Sequence, residues 1–151
     1  MSSSPDFETF IAQDFGTIAG LVGLHATLRP DNPALRDDSR TLSYRQLDEL
    51  MNRVAAALQR DGLNKGDAVA VCAASSVDYA ALFLGALRAG VAVAPLAPSS
   101  TPASLVRMVQ DANARLLFLD ASTAEVLREV TGVRRIAFDR RGHSGESGFE
   151  S

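Results

Sequence analysis

Apolar residues recur every three or four positions after Ser43, and this spacing predicts the longest helix of the chain. Gln46 follows Ser43 at the interval of a capping box, which starts a helix. Gly62 stands where a helix-ending glycine is expected. The repeat places one continuous apolar face on the helix and leaves the charged residues on its solvated side. The apolar face consists of Leu47, Leu50, Met51, Val54, Ala55 and Leu58.

Four short apolar runs follow, and each is predicted to be a strand. They are Ala68–Ala73, Val91–Pro95, Arg115–Asp120 and Val133–Phe138. The first run lacks polar alternation, which is typical of a strand that is covered on both faces. Because stretches of helical composition separate the runs, the strands are expected to pair in parallel through right-handed crossovers.

The helices between these strands have recognisable starts. One serine of the pair Ser75–Ser76 is predicted to cap the first helix, and Thr101 the second, with Pro102 at its first helical position. Ser122 or Thr123 is predicted to begin a third helix that ends near residue 130. The predicted inner faces are Val77, Ala80, Ala81, Leu84 and Leu87 in the first helix, and Leu105, Met108, Val109 and Ala112 in the second.

The first quarter of the chain has a different pattern. Residues 7–28 are predicted to be mostly helical, and their glycines are interpreted as sites of close packing or of a break in the helix. Two short strands, Ala34–Asp37 and Thr41–Tyr44, are predicted to form a small hairpin around Asp38–Arg40.

Together these elements predict an α/β fold with three layers: a mostly parallel sheet flanked by helices, with a small N-terminal hairpin. In such sheets ligands bind outside the carboxyl ends of the strands. Those ends lead here into Ala73–Ser76, Leu96–Thr101 and Asp120–Ser122. A binding site is therefore expected at this edge of the sheet.

Charge and cysteine content exclude several function classes. The sequence has 15 Lys and Arg against 18 Asp and Glu, a net charge of −3, so nucleic acid is not an expected partner. The longest apolar stretch, Ile18–Leu28, is too short and too interrupted to span a bilayer. No signal peptide is predicted, because Met1–Asp6 lacks a basic start. The single cysteine, Cys72, is interpreted as a small buried apolar residue, which together with the other features favours a cytoplasmic location.

The polar candidates do not complete a catalytic or metal site. Ser75–Ser76 and Ser99–Thr101 open helices at strand ends, where backbone N–H groups favour anions, but simple capping or a turn is the favoured interpretation. His25 and His143 have no metal-ligand spacing around them. The other candidates are interpreted as surface, turn or rim residues: Asp78, Tyr79, Asp111, Asp120, Arg134, Arg135, Arg140 and Arg141.

Several runs of the sequence carry a family resemblance. They are Leu42–Leu47, Asn52–Leu58, Gly62–Val71 and Phe83–Leu96. In order and spacing they resemble the N-terminal subdomain of adenylate-forming enzymes, the superfamily of acyl- and aryl-CoA synthetases, nonribosomal-peptide adenylation domains and luciferases. The resemblance extends over Thr17–Phe138 and departs at residue 97, where this chain has alanine and many members have asparagine.

The resemblance implies a chemistry for a full-length enzyme. In this superfamily a carboxylate attacks the α-phosphate of ATP, which gives an acyl-adenylate and pyrophosphate, and the thiol of coenzyme A then captures the acyl group. ATP, Mg²⁺ and coenzyme A are thus the implied cofactors. The family's Ser/Thr/Gly-rich loop that ends in lysine is not found here, since the only lysine, Lys65, lies in a turn before a predicted strand. No catalytic residue is carried over, and no cofactor is expected to bind this chain alone.

The implied organisation is an N-terminal extension over 1–16, the α/β subdomain of an adenylate-forming enzyme over 17–138, and a polar tail or linker over 139–151. The leading hypothesis is a fragment of an ATP-dependent acyl- or aryl-CoA synthetase, incomplete without the rest of the ligase polypeptide, with a carboxylic acid as substrate and a place in fatty acid metabolism. Such a fragment should expose an apolar patch, which self-association into a homo-oligomer would cover.

Two alternatives stay open. One is a stand-alone, non-catalytic α/β interaction module that kept the fold. The other is a flavodoxin-like domain for a small phosphorylated ligand, which depends on fold analogy alone.

Overall fold

A parallel sheet runs through the centre of the computed structural model, which describes residues 7–13, 16–138 and 147–148. The strand order is β4-β3-β5-β6-β7, and every neighbouring pair is parallel. The strands of this sheet are β3 Ala68–Cys72, β4 Ala92–Leu96, β5 Ala114–Leu119, β6 Arg134–Ala137 and β7 Ser147–Gly148. The predicted mostly parallel sheet is confirmed.

The predicted hairpin is also present, as two antiparallel strands that precede the sheet in the chain. These are β1 Pro33–Arg36 and β2 Thr41–Ser43. The helices are α1 Phe7–Ile11, α2 Ile18–Leu28, α3 Tyr44–Arg60, α4 Val77–Arg88, α5 Pro102–Asp111 and α6 Ala121–Ala124. Among the described residues, no helix is both long and apolar enough to cross a membrane.

Helix α3 forms for the reasons that its sequence indicates. The Ser43 hydroxyl accepts a hydrogen bond from the Gln46 N–H at 3.3 Å, and the Gln46 side-chain oxygen accepts one from the Ser43 N–H at 2.9 Å. This capping box satisfies two donors that a helix start leaves without partners. All six residues of the predicted apolar face are buried. Gly62 follows the helix with a φ of +84°, a left-handed conformation that suits glycine.

The central strand β3 separates two apolar layers. Val69 and Val71 pack on one side with α3 and α4 residues such as Val54 and Leu82. On the other side, Ala70 and Cys72 pack with residues of α5 such as Leu105. Strand β3 is therefore covered on both faces, as its unbroken apolar run predicts.

The buried face of α4 differs from the predicted one. Leu87 is 38% exposed, whereas Leu82, Gly85 and Ala86 are buried. The helix is turned so that Gly85 meets Val54 of α3, because glycine permits the closest approach between the two helices. The prediction of Leu87 on the inner face is wrong.

Helix α5 departs from the prediction at one residue, and residues 7–28 follow it. Met108 of α5 is 43% exposed, although Leu105 and Val109 are buried as predicted. Residues 7–28 are mostly helical with a break, as predicted, and Thr17 caps the second helix by accepting a hydrogen bond from the Gly20 N–H. Gly16 and Thr17, directly before the second helix, are not helical.

The helix after β5 starts earlier and ends sooner than predicted. Asp120 is its N-cap, and Thr123 occupies the third helical position of a capping box. The α-helix ends at Ala124, and hydrogen-bonded turns continue to Val130. The predicted tail over 139–151 lies outside the described residues except for Ser147 and Gly148, which pair with β6.

Candidate functional site

The carboxyl ends of β3, β4 and β5 lie side by side at one edge of the sheet. Cys72, the last residue of β3, is in register with Leu96 on one side and with Leu119 on the other. The three predicted loops therefore leave the sheet next to one another. We call the loop Ala73–Ser76 the β3–α4 loop.

Asp120 connects the loop after β5 to the β3–α4 loop. One carboxylate oxygen accepts hydrogen bonds within its own turn, from the Ser122 hydroxyl at 2.7 Å and the Thr123 N–H at 3.0 Å. The other oxygen accepts a hydrogen bond from the Ala74 N–H at 2.7 Å. Partial burial tends to raise the pKa of Asp120, but these donors outweigh it and hold the pKa below its ordinary value.

Asp37 makes a matching connection from the hairpin. One oxygen accepts hydrogen bonds from the Ser39 hydroxyl at 2.7 Å and from the N–H groups of Ser39 and Arg40 at 2.8 and 2.9 Å. The other accepts a hydrogen bond from the Val77 N–H at 2.8 Å, at the first turn of α4. The Ser39 hydroxyl and these backbone donors hold the pKa of Asp37 far below its usual range.

Two donors at the N-terminus of α4 have side-chain partners within the protein. Ser76 caps the helix by accepting a hydrogen bond from the Tyr79 N–H at 3.1 Å, while Asp37 occupies the Val77 N–H. Asp78 in the first turn forms an ion pair with Arg40. Capping therefore accounts for Ser76, and the N–H groups of Val77 and Tyr79 both have partners within the protein.

The start of α5 is similar. The Thr101 hydroxyl caps the helix by accepting a hydrogen bond from the Ser104 N–H at 3.3 Å, with Pro102 at the first helical position as predicted. Ser100 closes a turn by donating its N–H to the Ala97 carbonyl at 3.0 Å. Capping and turn formation explain these residues.

The buried groups behind this edge are not activated for chemistry. Cys72 is fully buried, and burial, with the nearby charge of Asp120 as a second cause, raises the pKa of its thiol. Burial also raises the pKa of Tyr79. The thiolate and phenolate are therefore disfavoured. The hydroxyl of Thr123, which is buried, donates a hydrogen bond to the Cys72 carbonyl and ties α6 to the end of β3.

Other sequence candidates lie elsewhere in the structure. His25 of α2 packs its ring against Tyr44 at 4.8 Å between centroids. Lys65 lies in the turn before β3, at the opposite edge of the sheet, and Asp111 is exposed at the end of α5. Arg134 forms an ion pair with Asp61 at 3.4 Å.

The structure does not bring His25, Lys65, Asp111 and Arg134 together. In the parts of the chain that the structure describes, no three His, Cys, Asp or Glu residues form a group that could hold a metal ion. His143, Arg140 and Arg141 lie outside the described residues.

The sequence comparison decides the family. The AMP-binding enzyme family matches residues 24–148. The chain belongs to this family. The match extends from α2 to β7 and so contains the whole sheet.

Individual AMP-binding enzymes are similar over the same region. The fatty acid–[acyl-carrier-protein] ligase ScoC of Streptomyces coeruleorubidus is 32% identical over 114 residues, which are 76% of this chain and 22% of ScoC. The 3-hydroxybenzoate–CoA ligase of Aromatoleum sp. (strain CIB) is 30% identical over 102 residues, 68% of this chain and 20% of that enzyme. The chain spans about a fifth of the length of these curated relatives.

Solved structures of the family share the fold. The crystal structure of the anthranilate CoA ligase AuaEII in complex with anthranoyl-AMP superposes with a TM-score of 0.84 at 17% identity. The superposition covers 92% of this chain and 28% of AuaEII. The predicted three-layer α/β architecture is therefore that of an AMP-binding enzyme.

Charged side chains surround the β3–α4 loop at the carboxyl edge. Asp37, Asp78 and Asp120 place carboxylates around the β3–α4 loop, and the guanidinium of Arg40 is paired with Asp78. Phosphate groups need free N–H donors or cations, and carboxylates repel them. The charges around the β3–α4 loop are therefore unfavourable for phosphate groups.

The two shifted carboxyl groups predict a pH dependence of stability. Asp37 and Asp120 both have a folded-state pKa below the ordinary value of 3.8, so the unfolded chain takes up their protons first as the pH falls. Their contribution is complete above about pH 5 and is lost progressively as the pH falls through and below the ordinary value. The free energy of unfolding, measured by urea denaturation from neutral to acidic pH, should decline over this window.

The double variant Asp37→Asn/Asp120→Asn should lose most of this decline. A double change at the exposed residues Asp38 and Asp111, Asp38→Asn/Asp111→Asn, controls for the altered net charge. Parallel pH curves for the double variant and the unaltered chain would contradict the assignment.

Proposed function

We propose that this chain is the N-terminal portion of an ATP-dependent ligase that activates a carboxylic acid as its acyl-adenylate. We propose further that it forms part of the scaffold around the active site and does not adenylate a carboxylic acid by itself. The observation that carries the proposal is the family match over residues 24–148 in a chain that spans about a fifth of its curated relatives. The remaining polypeptide would be its obligatory partner.

The names of the relatives support the reaction class. One acts on a fatty acid and an acyl-carrier protein, and another forms a CoA ester of 3-hydroxybenzoate. The shared chemistry is activation of a carboxylate followed by transfer to a thiol. We therefore propose a carboxylic acid as substrate, and ATP, Mg²⁺ and a thiol acceptor such as coenzyme A as co-reactants of the full-length enzyme. A cytoplasmic location suits these co-reactants.

The carboxylate-lined edge supports the second part of the proposal. Asp37 and Ser76 engage the N–H groups of Val77 and Tyr79 at the start of α4, and the only lysine lies at the other edge of the sheet. A triphosphate would need preorganised positive groups, which the rest of the enzyme must bring. This chain would then form one side of the active site, and its residues would not bind the phosphates.

Calorimetric titration tests the chain alone. ATP with Mg²⁺, titrated into the 151-residue chain, should give no saturable heat and should leave the midpoint of thermal unfolding unchanged. A full-length AMP-forming ligase, measured in the same buffer, is the positive control. Saturable binding by the chain, with a rise in its unfolding midpoint, would contradict the scaffold role.

Pyrophosphate release tests the ligase role. The polypeptide that contains this chain together with a complete AMP-binding region should release pyrophosphate from ATP only when a suitable carboxylic acid is added. Aromatic and fatty acids of graded length form the panel. Release with none of them, from a folded protein that binds ATP, would favour the non-catalytic interaction module instead.

A further inference from the structure

The β3–α4 loop is held at both ends by carboxylates from distant parts of the chain. It has four residues, between the end of β3 at Cys72 and the start of α4 at Val77. Near its beginning the Ala74 N–H donates to Asp120 at 2.7 Å, and just after its end the Val77 N–H donates to Asp37 at 2.8 Å. The partners are 46 and 40 positions away in sequence.

Each carboxylate divides its oxygens in the same way. One oxygen of Asp37 is held by the hairpin turn and one oxygen of Asp120 by the first turn of α6. The second oxygen of Asp120 is directed to the β3–α4 loop, and that of Asp37 to Val77, the residue that follows it. Because the bonds to the first oxygen fix the orientation of the carboxylate, the second oxygen is already in position to accept a hydrogen bond from the backbone.

Little else holds the middle of the loop. Ala74 and Ser75 are exposed, so their side chains do not anchor the loop in the core. Ala73 and Val77 are buried and anchor its two ends. Ser76 is held by its cap on α4, so the backbone path before it depends chiefly on the two carboxylates.

We propose that Asp37 and Asp120 are positioning residues that form a carboxylate clamp and hold the β3–α4 loop as a rigid wall of the ligand-facing edge. The clamp links the hairpin, the central strand and α6. The statement that this edge faces a substrate rests on the proposed function. The clamp rests on the two hydrogen bonds and does not depend on that function.

Amide hydrogen exchange, measured by NMR on the 151-residue chain, tests the clamp. Asp37→Ala should raise the exchange rate of the Val77 amide by about tenfold or more and leave the Ala74 amide nearly unchanged. Asp120→Ala should do the reverse. The amide of Val71 in the centre of β3 reports global opening, and a merely structural loss would raise all three rates together.

Two further variants keep the test decisive. Asparagine retains an acceptor oxygen, so Asp37→Asn and Asp120→Asn should show smaller increases and remain folded if the alanine variants do not. Asp38→Ala, next to Asp37 and exposed, should leave both loop amides unchanged. Equal acceleration at Val71, no acceleration at either loop amide, or the same effect from Asp38→Ala would overturn the clamp.

The consequence for catalysis is measured separately in the full-length ligase. Asp120→Asn should raise the KM for the carboxylic acid more than it lowers kcat, because the loop wall moves while the phosphate-binding groups stay in place. An unchanged KM, with altered loop exchange, would refute the loop's role at the site. If the ligase shows no adenylation at all, the proposed function fails while the exchange result still decides the clamp.

Discussion

Replacing Gly85 with alanine is expected to destabilise the protein by about 1–3 kcal/mol. A Cβ at this position would lie 2.5 Å from the Cβ of Val54, 2.6 Å from its Cγ1 and 3.2 Å from the carbonyl oxygen of Met51. Val54 is fully buried on α3, so neither it nor the helix backbone can move aside without disturbing the core. The clash should outweigh the roughly 1 kcal/mol by which alanine is preferred to glycine inside a helix.

Gly23→Ala is the matched control, because it makes the same substitution inside another helix. The nearest atom to a Cβ at Gly23 is a carboxylate oxygen of Asp48 at 3.8 Å, an ordinary contact. This variant should be stabilised by about 0.5–1 kcal/mol. Urea denaturation gives both values from the shift in midpoint at constant slope. A Gly85→Ala variant as stable as Gly23→Ala would show that α3 and α4 do not pack this closely.

Replacing Arg88 with methionine is expected to destabilise the protein by about 2–3 kcal/mol. Its guanidinium donates to the Asp48 carboxylate at 2.7 Å, the Asp48 carbonyl at 3.0 Å, the Asn52 side-chain oxygen at 2.9 Å and the Ala19 carbonyl at 3.1 Å. These bonds join α2, α3 and α4, and the Arg88 side chain is only 19% exposed. Methionine keeps most of the apolar stem but leaves four acceptors without this donor.

Arg128→Met provides the comparison. Arg128 pairs with Glu125 one helical turn away at 2.7 Å, and its side chain is 63% exposed. Exposed pairs contribute little, so this variant should stay within about 0.5 kcal/mol of the unaltered chain. Thermal and urea unfolding of both variants measure the difference. Equal effects at Arg88 and Arg128 would mean that the three-helix junction is held by apolar packing alone.

Local patterns in the sequence predicted much of the fold. The capping box of Ser43 and Gln46, the six-residue apolar face of α3 and the caps Ser76 and Thr101 are all confirmed. Each depends on residues within one helical turn of one another, or on a repeat along one element. Because such interactions involve neighbouring positions, they can be predicted from a single sequence.

The candidate site was only partly predictable. The sequence placed the loops at the carboxyl edge through the alternation of strands and helices, and it identified Asp120 as a rim residue. It did not identify Asp37, whose only local signal was the turn-forming run Asp37–Asp38–Ser39–Arg40. Its bond to Val77 crosses 40 positions, and nothing in the local pattern indicates which distant N–H a turn carboxylate will meet.

Sequence alone determined the class of fold, the strand-and-helix order and the family. Burial produces a periodic pattern of apolar residues, capping residues lie next to the helices they start, and the family's motifs are contiguous. Tertiary structure alone decided which face of α4 is buried, that Gly85 is a contact glycine, and that Arg88, Asp37 and Asp120 each join separate elements. Those choices depend on the distance between atoms far apart in the chain. Only the packed fold brings such atoms within hydrogen-bonding or van der Waals range.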